Sequence, residues 1–389
     1  MNQIHAEIIV VGAGLVGIAA AIAFAQQGKK VVLVVEKKPT IKLKKTWDAR
    51  VYALTPATEH WLASIGVWAH VDASRVNSIS AMHLFDNASE RPLVLRDEDA
   101  NLRKLGVIIE NQNLMHALLT QLNALNVTLI TDASCEKLQY GTDDVSLHLK
   151  DSTLITAKLI IAADGVNSWL RAAANIAVKQ KDYKQTAIVA NFKAQKNHQQ
   201  IARQWFAPHD ILALLPMPDG VVSMVWSVST EKADELLLLS DDELAQMVLA
   251  QSKSVLGDLC LVGATQHFAL KQQTAVNLVG KRIVLMGDAA HQIHPMAGQG
   301  VNLGFRDVMD MLAVTTKISA MHDIGDENVL RQYARTRAAD VATMNTLTTG
   351  LNDLFAQENG LLKKLSRWGF KLLNHRPSLK KLLIQLAAA

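Results

Sequence analysis

"EIIVVGAGLVGIAAAIAFAQQGKKVVLVVE", residues 7–36, carries no charge from Ile8 to Ala25. A run that long resembles a membrane span by length alone. Its interior argues otherwise. A β-branched half and an alanine-rich half flank three glycines, which is the pattern of a buried strand, a tight turn and a buried helix. Gly28 suits the end of a helix over 14–28, and residues 31–36 read as a second strand, so the stretch is a βαβ start. Gly12, Gly14 and Gly17 permit positive φ and let backbone amides approach a pyrophosphate at the helix N-terminus. Glu36 follows Gly17 by 19 residues, at the end of the second strand, where a carboxylate accepts from ribose hydroxyls. The spacing predicts dinucleotide binding.

The rest of the chain fits a globular protein of more than one core. It has 389 residues, 49% hydrophobic and 20% charged, which is long for a single core and predicts two intertwined domains. Two cysteines, Cys135 and Cys260, build no disulfide framework and show no metal spacing; a reducing compartment and small core positions are expected. The N-terminal "MNQIHAEIIVVG" lacks a basic n-region and a cleavage pattern, so no secretory signal is expected. The net charge of +4 is uneven. From Asn359 onward there are seven Lys/Arg and no acid, so the preceding residues hold 33 basic against 36 acidic side chains, a net of −3. Basic character confined to a tail argues against nucleic-acid binding and for a local contact surface.

Helices are expected at 56–66 and 111–125, and strands at 127–131, 145–149 and 154–162. The stretch 177–267 reads as a mostly antiparallel sheet, with strands at 186–193, 211–215 and 221–229, Pro/Gly punctuation in "LLPMPDGVV", and acidic helices within 231–256. A strand at 282–286 and a helix from about 300 return to α/β, and the chain is helical from about 327. No repeat or low-complexity tract occurs.

A second stretch demands a ligand. "GDAAHQIHPMAGQGVNLGFRD", residues 287–307, sets an acid after an apolar strand, at the sheet edge where ligands of such sheets bind. Asp288 is placed to accept from a polyol hydroxyl. Gly298, Gly300 and Asn302 stand just before a helix, whose N-terminal amides favour developing negative charge, as a reduced flavin requires. His291 and His294 sit three apart without a further ligand set, so no metal is expected; packing, a hydrogen bond near a cofactor, or a general base are the readings open to them.

Three stretches together, "GAGLVG" with Glu36, "AADGVNSWLR" at 162–171 and "GDAAHQIHPMAGQGVNLG" at 287–304, resemble the FAD-dependent aromatic hydroxylases of the para-hydroxybenzoate hydroxylase type. More narrowly, "WDARVYALT" at 47–55, "IIENQNLMHALL" at 108–119, "WFAPHDILALLPMPDGVVSMVWS" at 205–227 and "IHPMAGQGVNLGFRD" resemble the ubiquinone-biosynthesis hydroxylases, over about residues 5–350. The resemblance implies an α/β fold: a Rossmann-like FAD-binding domain (1–75, 102–176 and 268–345) interleaved with an antiparallel-sheet substrate domain (76–101 and 177–267), then a C-terminal helical segment (346–389). It implies that NAD(P)H reduces FAD, and that the reduced flavin takes O2 to a C4a-hydroperoxide whose terminal oxygen passes to the ring of a polyprenyl phenol or quinol.

The site residues carry over with it. Gly12, Gly14 and Gly17 would face the FAD pyrophosphate and Glu36 the adenosine ribose. Arg50 would lie over the phosphate–ribityl part, with Asn111, or its neighbour Gln112, contacting FAD. Asp164 is linked in the family to the pyrophosphate and to NAD(P)H use. Asp288 would bind the ribityl chain, Gly298, Gly300, Val301 and Asn302 would approach the isoalloxazine, and Pro295 would shape the loop. Arg171 reads as a helix-start cation or a phosphate contact. Leu214, Leu215, Met224 and Trp226 read either as walls of the substrate site or as domain core. No catalytic acid or base is identified.

The tail, 360–389, interleaves a stripe of Leu361, Leu362, Leu365, Trp368, Leu372 and Leu373 with Lys and Arg. It fits a membrane-surface helix, on the inner face if the protein is cytoplasmic, and equally a helix packed on the protein body or on a partner of a biosynthetic complex. The rival activities on the same scaffold are hydroxylation of a small soluble aromatic, a flavin reductase, and a non-catalytic flavin-binding subunit.

Overall fold

A computed structural model describes residues 2–39, 43–86, 92–293, 300–317, 322–356, 380–381 and 384–385. Its centre is a six-stranded sheet. In spatial order the strands are Val279–Gly280, Ile283–Leu285, Leu159–Ala162, Ile8–Val11, Val31–Val34 and Thr128–Ile130. All neighbours are parallel except the first pair. These strands are continuous apolar runs because a parallel sheet is covered on both faces. The helix Leu15–Gln26 is buried from Ile18 through Phe24. It packs against the helices Asn111–Asn123 and Gly300–Thr316, which explains an apolar run that reads as a membrane span by length. Among the described residues, no helix is long and apolar enough to cross a membrane.

The expected strand at 154–162 is two strands. Leu159–Ala162 lies in the parallel sheet, while Leu154–Ala157 joins a four-stranded sheet with Gln3–His5, Val145–Leu149 and Cys135–Tyr140. The strand order explains how distant motifs meet. Ile283–Leu285, Leu159–Ala162 and Ile8–Val11 are neighbours, so the loops beginning at Met286, Ala163 and Gly12 emerge side by side from the carboxyl edge.

The middle of the chain forms a nine-stranded, mostly antiparallel sheet built around the 17-residue strand Val178–Ala194. One pair is parallel, Ile201–Ala207 with Ala81–Asp86. The helices Thr230–Leu237 and Asp241–Gln251 cover one face over a core of Ile188, Phe192, Met224, Trp226 and Val248. Ser240 and Glu243 cap the second helix reciprocally,. On the other face, a small sheet of Val51–Leu54, Gly106–Glu110 and Val76–Ile79 packs through Ile79, Ile108, Ala202, Met217 and Val221.

Two expected boundaries fall elsewhere. Residue 268 lies inside the strand Gln266–Ala275, which pairs with Val178–Ala194 along its length. Val76–Ile79 belongs to the small sheet. Of the two cysteines expected in the core, Cys260 is exposed on its short strand, while Cys135 is half-buried and packs against the main core. Most of the basic tail lies outside the described residues; near its end, Lys380 reaches Asp99 at 3.8 Å and Ile384 is buried.

Candidate active site

Where the carboxyl edge of the parallel sheet faces the nine-stranded sheet, a cavity of about 730 Å³ opens, in the range of ordinary cofactor and ligand pockets. Gly14, Arg50, Asn111, Asp288, Gly300 and Val301 line it, and each was picked out by sequence.

The three glycines of the fingerprint divide their work. A Cβ on Gly14 would meet nothing within 4 Å, so this backbone is bare toward the cavity. A Cβ on Gly12 would collide with the carbonyl oxygen of Ala163, and one on Gly17 with the carbonyl of Gly12. These two permit the close approach of helix to strand and do not line the cavity. Gly14 caps the helix Leu15–Gln26 without any side-chain acceptor for the first-turn amides, which leaves an anion site of the kind a pyrophosphate fills. Gly165 and Gly300 likewise leave open space where a Cβ would be.

Asp288, Arg50 and Lys271 are the charged residues that line the cavity. Asp288 is reached by water, because it stands in the open cavity, yet protein surrounds it closely. Burial pushes its carboxyl above the ordinary range, against the opposing pull of Arg50 and His291. The Arg50 guanidinium lies 5.4 Å from the centre of the Tyr52 ring, and Tyr52 donates to Asn111 Oδ1 at 3.3 Å. Burial raises the Tyr52 phenol to about 12, so it stays neutral at working pH.

Asn111 and Gln112 stand in different surroundings. Asn111 lines the cavity, while Gln112 accepts from Lys44 N and donates to Thr46 O and to Glu110. It ties down the basic loop. Buried Glu110 holds the same loop by accepting from Asp48 N at 2.5 Å, and it accepts from Arg75 Nε and Nη2 at 2.7 and 2.8 Å while Arg75 donates to Thr46 O.

Other residues act from behind. Asn302 is fully buried and turns away from the cavity: its amide donates to Ala53 O at 2.8 Å and accepts from Thr55 N at 3.0 Å. Arg171 directs its guanidinium at two backbone carbonyls. It donates to Val166 O at 2.8 Å and Ala289 O at 2.9 Å, clamping the Asp-Gly loop to the loop that carries Asp288. Asp164 accepts from Leu170 N through one oxygen at 3.1 Å, while its Oδ1 is buried and unmatched among the described residues. Glu36 is exposed just past its strand. Burial pushes the Cys135 thiol up to about 12, and the Asp164 and Glu36 carboxylates add to it. Pro295, Gly298 and His294 lie outside the described residues.

The second aspartate of the 287–307 stretch is a keystone that sequence did not single out. Asp307, with no exposed surface, accepts from Gly287 N and His291 Nε2 at 2.8 Å each and from Arg337 Nε at 2.7 Å. Burial alone would raise its pKa, but His291, Arg337 and the Gly287 amide outweigh burial and hold it low. His291 is thereby held inside the network. Among the described residues no cluster of metal ligands exists.

The wall facing the cofactor loops is mostly apolar, with Ala187, Val189, Val225, Phe268 and Leu270; Lys271 of the same strand as Phe268 also lines the cavity, and Ile293 lines it from the 287–307 stretch. Of the four positions read as wall or core, Leu214, Met224 and Trp226 belong to the core under the helices, and Leu215 packs with the small sheet.

An FAD binding domain family model matches residues 5–348. The ubiquinone hydroxylase UbiL of Rhodospirillum rubrum is 32% identical over 98% of this chain and 89% of its own length. The mitochondrial ubiquinone biosynthesis monooxygenase COQ6 of Homo sapiens is 30% identical over 98% of this chain and 92% of its own length. The crystal structure of p-nitrophenol 4-monooxygenase PnpA from Pseudomonas putida superposes with a TM-score of 0.78 at 16% identity, over 99% of this chain and 98% of that one; at that identity the likeness is one of fold. With the bare glycine backbones, the uncapped helix start and Asp288 arranged around one cavity, the chain belongs to the FAD-binding domain family, as an FAD-dependent monooxygenase related to the ubiquinone hydroxylases.

Proposed function

We propose that this chain hydroxylates the aromatic ring of a polyprenyl phenol or quinol in ubiquinone biosynthesis, using NAD(P)H and O2. The observation that carries the reading is the composition of the cavity. Its polar side is bare backbone with Arg50 and Asp288, suited to FAD, and the facing side is the apolar wall around Val189 and Val225, suited to an alkylated ring. Relatives named for ubiquinone hydroxylation span nearly the whole chain. When bound, FAD supplies the electron transfer and oxygen activation. The chain's own residues bind and orient: the Gly14 backbone and the first-turn amides hold the diphosphate, Asp288 accepts from the polyol, and Gly300 and Val301 meet the ring system. The apolar wall excludes water from the reacting face. Asp164, with its free buried oxygen, and Glu36 hold the nucleotide end.

Contact with a membrane surface, and membership of a biosynthetic complex, belong to the same proposal. They rest on the Leu/Trp stripe and basic residues of 360–373 and on a substrate with an isoprenoid tail.

The test is mass analysis of quinone-pathway lipids in cells lacking the chain. An under-hydroxylated polyprenyl phenol should accumulate and be relieved by the restored chain, but not by Asp288→Ala. An unchanged lipid profile refutes the proposed substrate.

A further inference from the structure

Strand alternation gives the nine-stranded sheet two different faces. Ile188, Ala190 and Phe192, with Val222, Met224 and Trp226, pack beneath the helices. Ala187, Val189 and Val225 point the other way, into the cavity. The register pairs Val189 with Val225 and, one rung further on the same face, Asn191 with Ser223,. Asn191 is 1% exposed and Ser223 0%. Asn191 donates through Nδ2 to the carbonyl of Asp48 at 3.0 Å, the residue before cavity-lining Ala49. Its Oδ1 and the Ser223 hydroxyl have no hydrogen-bond partner among the described residues. On the far side of Ser223 the sheet closes with Leu215, which packs into the apolar cluster of Met217 and Val221. An acceptor and a hydroxyl therefore stand side by side next to the wall residues Val189 and Val225; neither residue lines the cavity as it stands, so a ring oxygen reaches them when the wall side chains shift. Buried polar groups are nearly always matched, and leaving two adjacent ones unmatched is costly.

We propose that Asn191 and Ser223 form a polar subsite that takes the ring hydroxyl of the phenolic substrate: Asn191 Oδ1 accepts from the ring O–H, and Ser223 Oγ donates to the ring oxygen. The subsite rests on the phenol reading of the substrate given above. It makes the pair specificity-determining, because fixing one ring oxygen at the end of the wall fixes which ring carbon faces the cofactor. A site built to bond a hydroxyl rejects the analogue lacking it far more strongly than an apolar pocket discriminates by size.

The FAD-loaded full chain is titrated anaerobically with 2-geranylphenol and with geranylbenzene, binding being read from the flavin absorbance. Wild type should prefer the phenol. Ser223→Ala should weaken that preference about tenfold, the size of one lost hydrogen bond, with geranylbenzene affinity and FAD content unchanged. Its melting temperature should be unchanged or higher, since the substitution removes a hydroxyl without a partner; a lower one would mark a structural role and overturn the subsite. A Ser223→Ala protein that keeps the full wild-type preference overturns the subsite and leaves the hydroxylase reading intact. A wild type that binds neither probe overturns both.

Discussion

Replacing Asp307 with Asn changes one oxygen to an amide in a charge cluster that, among the described residues, is the most enclosed. The carboxylate accepts from three donors, the Gly287 amide, His291 Nε2 and Arg337 Nε. An amide retains one acceptor and turns an NH2 toward groups that are themselves donors. Removing one partner of a buried ion pair costs roughly 3–5 kcal/mol. The lower end applies, because Arg337 keeps Asp310 and Asp340, both partly exposed. At about 2 °C per kcal/mol for a large domain, the melting temperature should fall by roughly 6 °C. The loop beginning at Gly287 carries Asp288, so FAD affinity should fall with it. The pH dependence has a fixed sign. The Asp307 carboxyl is held below its ordinary value, about 3.9 in an unfolded chain. Its contribution is therefore complete above about pH 4 and is lost as pH falls through the lower folded value. Flavin-fluorescence melts of wild type and Asp307→Asn across pH 3–7 should converge at the acid end. A variant that melts within a degree of wild type at pH 7 and retains its FAD would refute the keystone role.

Gly14→Val should give a stable, folded protein that loses FAD, since its Cβ faces open space. Gly17→Ala should instead lower the melting temperature, because its methyl meets the Gly12 carbonyl; a flavin-replete Gly14→Val protein would contradict this division. Asp288→Ala should weaken FAD binding roughly 10–100-fold, the range for a lost charge-assisted hydrogen bond of 1.5–3 kcal/mol, with full flavin occupancy at micromolar FAD as the contrary result. Deleting residues 360–389 should abolish sedimentation with anionic vesicles while sparing flavin content; retained sedimentation would remove the membrane role of the tail.

The legible parts were those encoded by local spacing. A strand, glycines at fixed offsets and an acid after the second strand specify a turn and its ligand wherever they fold. The parallel sheet was legible too, because its strands are apolar without interruption. The orientation of the substrate sheet was not. "VVSMVWSVS" and "LALLP" carry hydrophobic residues on both faces, so alternation offers no polarity cue, and a shift of one residue exchanges core for cavity. Trp226 is held in the core by a hydrogen bond from its indole to Asp210 at 2.6 Å, a partner 16 residues away that no periodicity reveals. Arg337 reads in sequence as an ordinary charge on a polar helix. Asn302 and Arg171 have roles fixed by carbonyls more than a hundred residues distant.

The supporting residues share a logic that separates binding from fixing. Arg171, Asp307 and Asn302 carry the polar side chains that define the shape of the cofactor loops, and each works through bonds to protein backbone or to other buried charges. The cradle itself presents chiefly backbone, at Gly14, Gly165 and Gly300, plus Asp288 and Arg50 from one strand end and one loop. Backbone donors have no rotamers to order when a diphosphate arrives, so the conformational cost of binding has already been met by folding. The rigidity is supplied by the clamp from Arg171 to Ala289 and by the contact of Asp307 with Gly287, on the two sides of Asp288. The apolar wall opposite is free of such constraints. Its side chains can vary in size to suit one ring or another without touching the cofactor's support, which is how one cofactor frame can serve hydroxylases of different aromatic substrates.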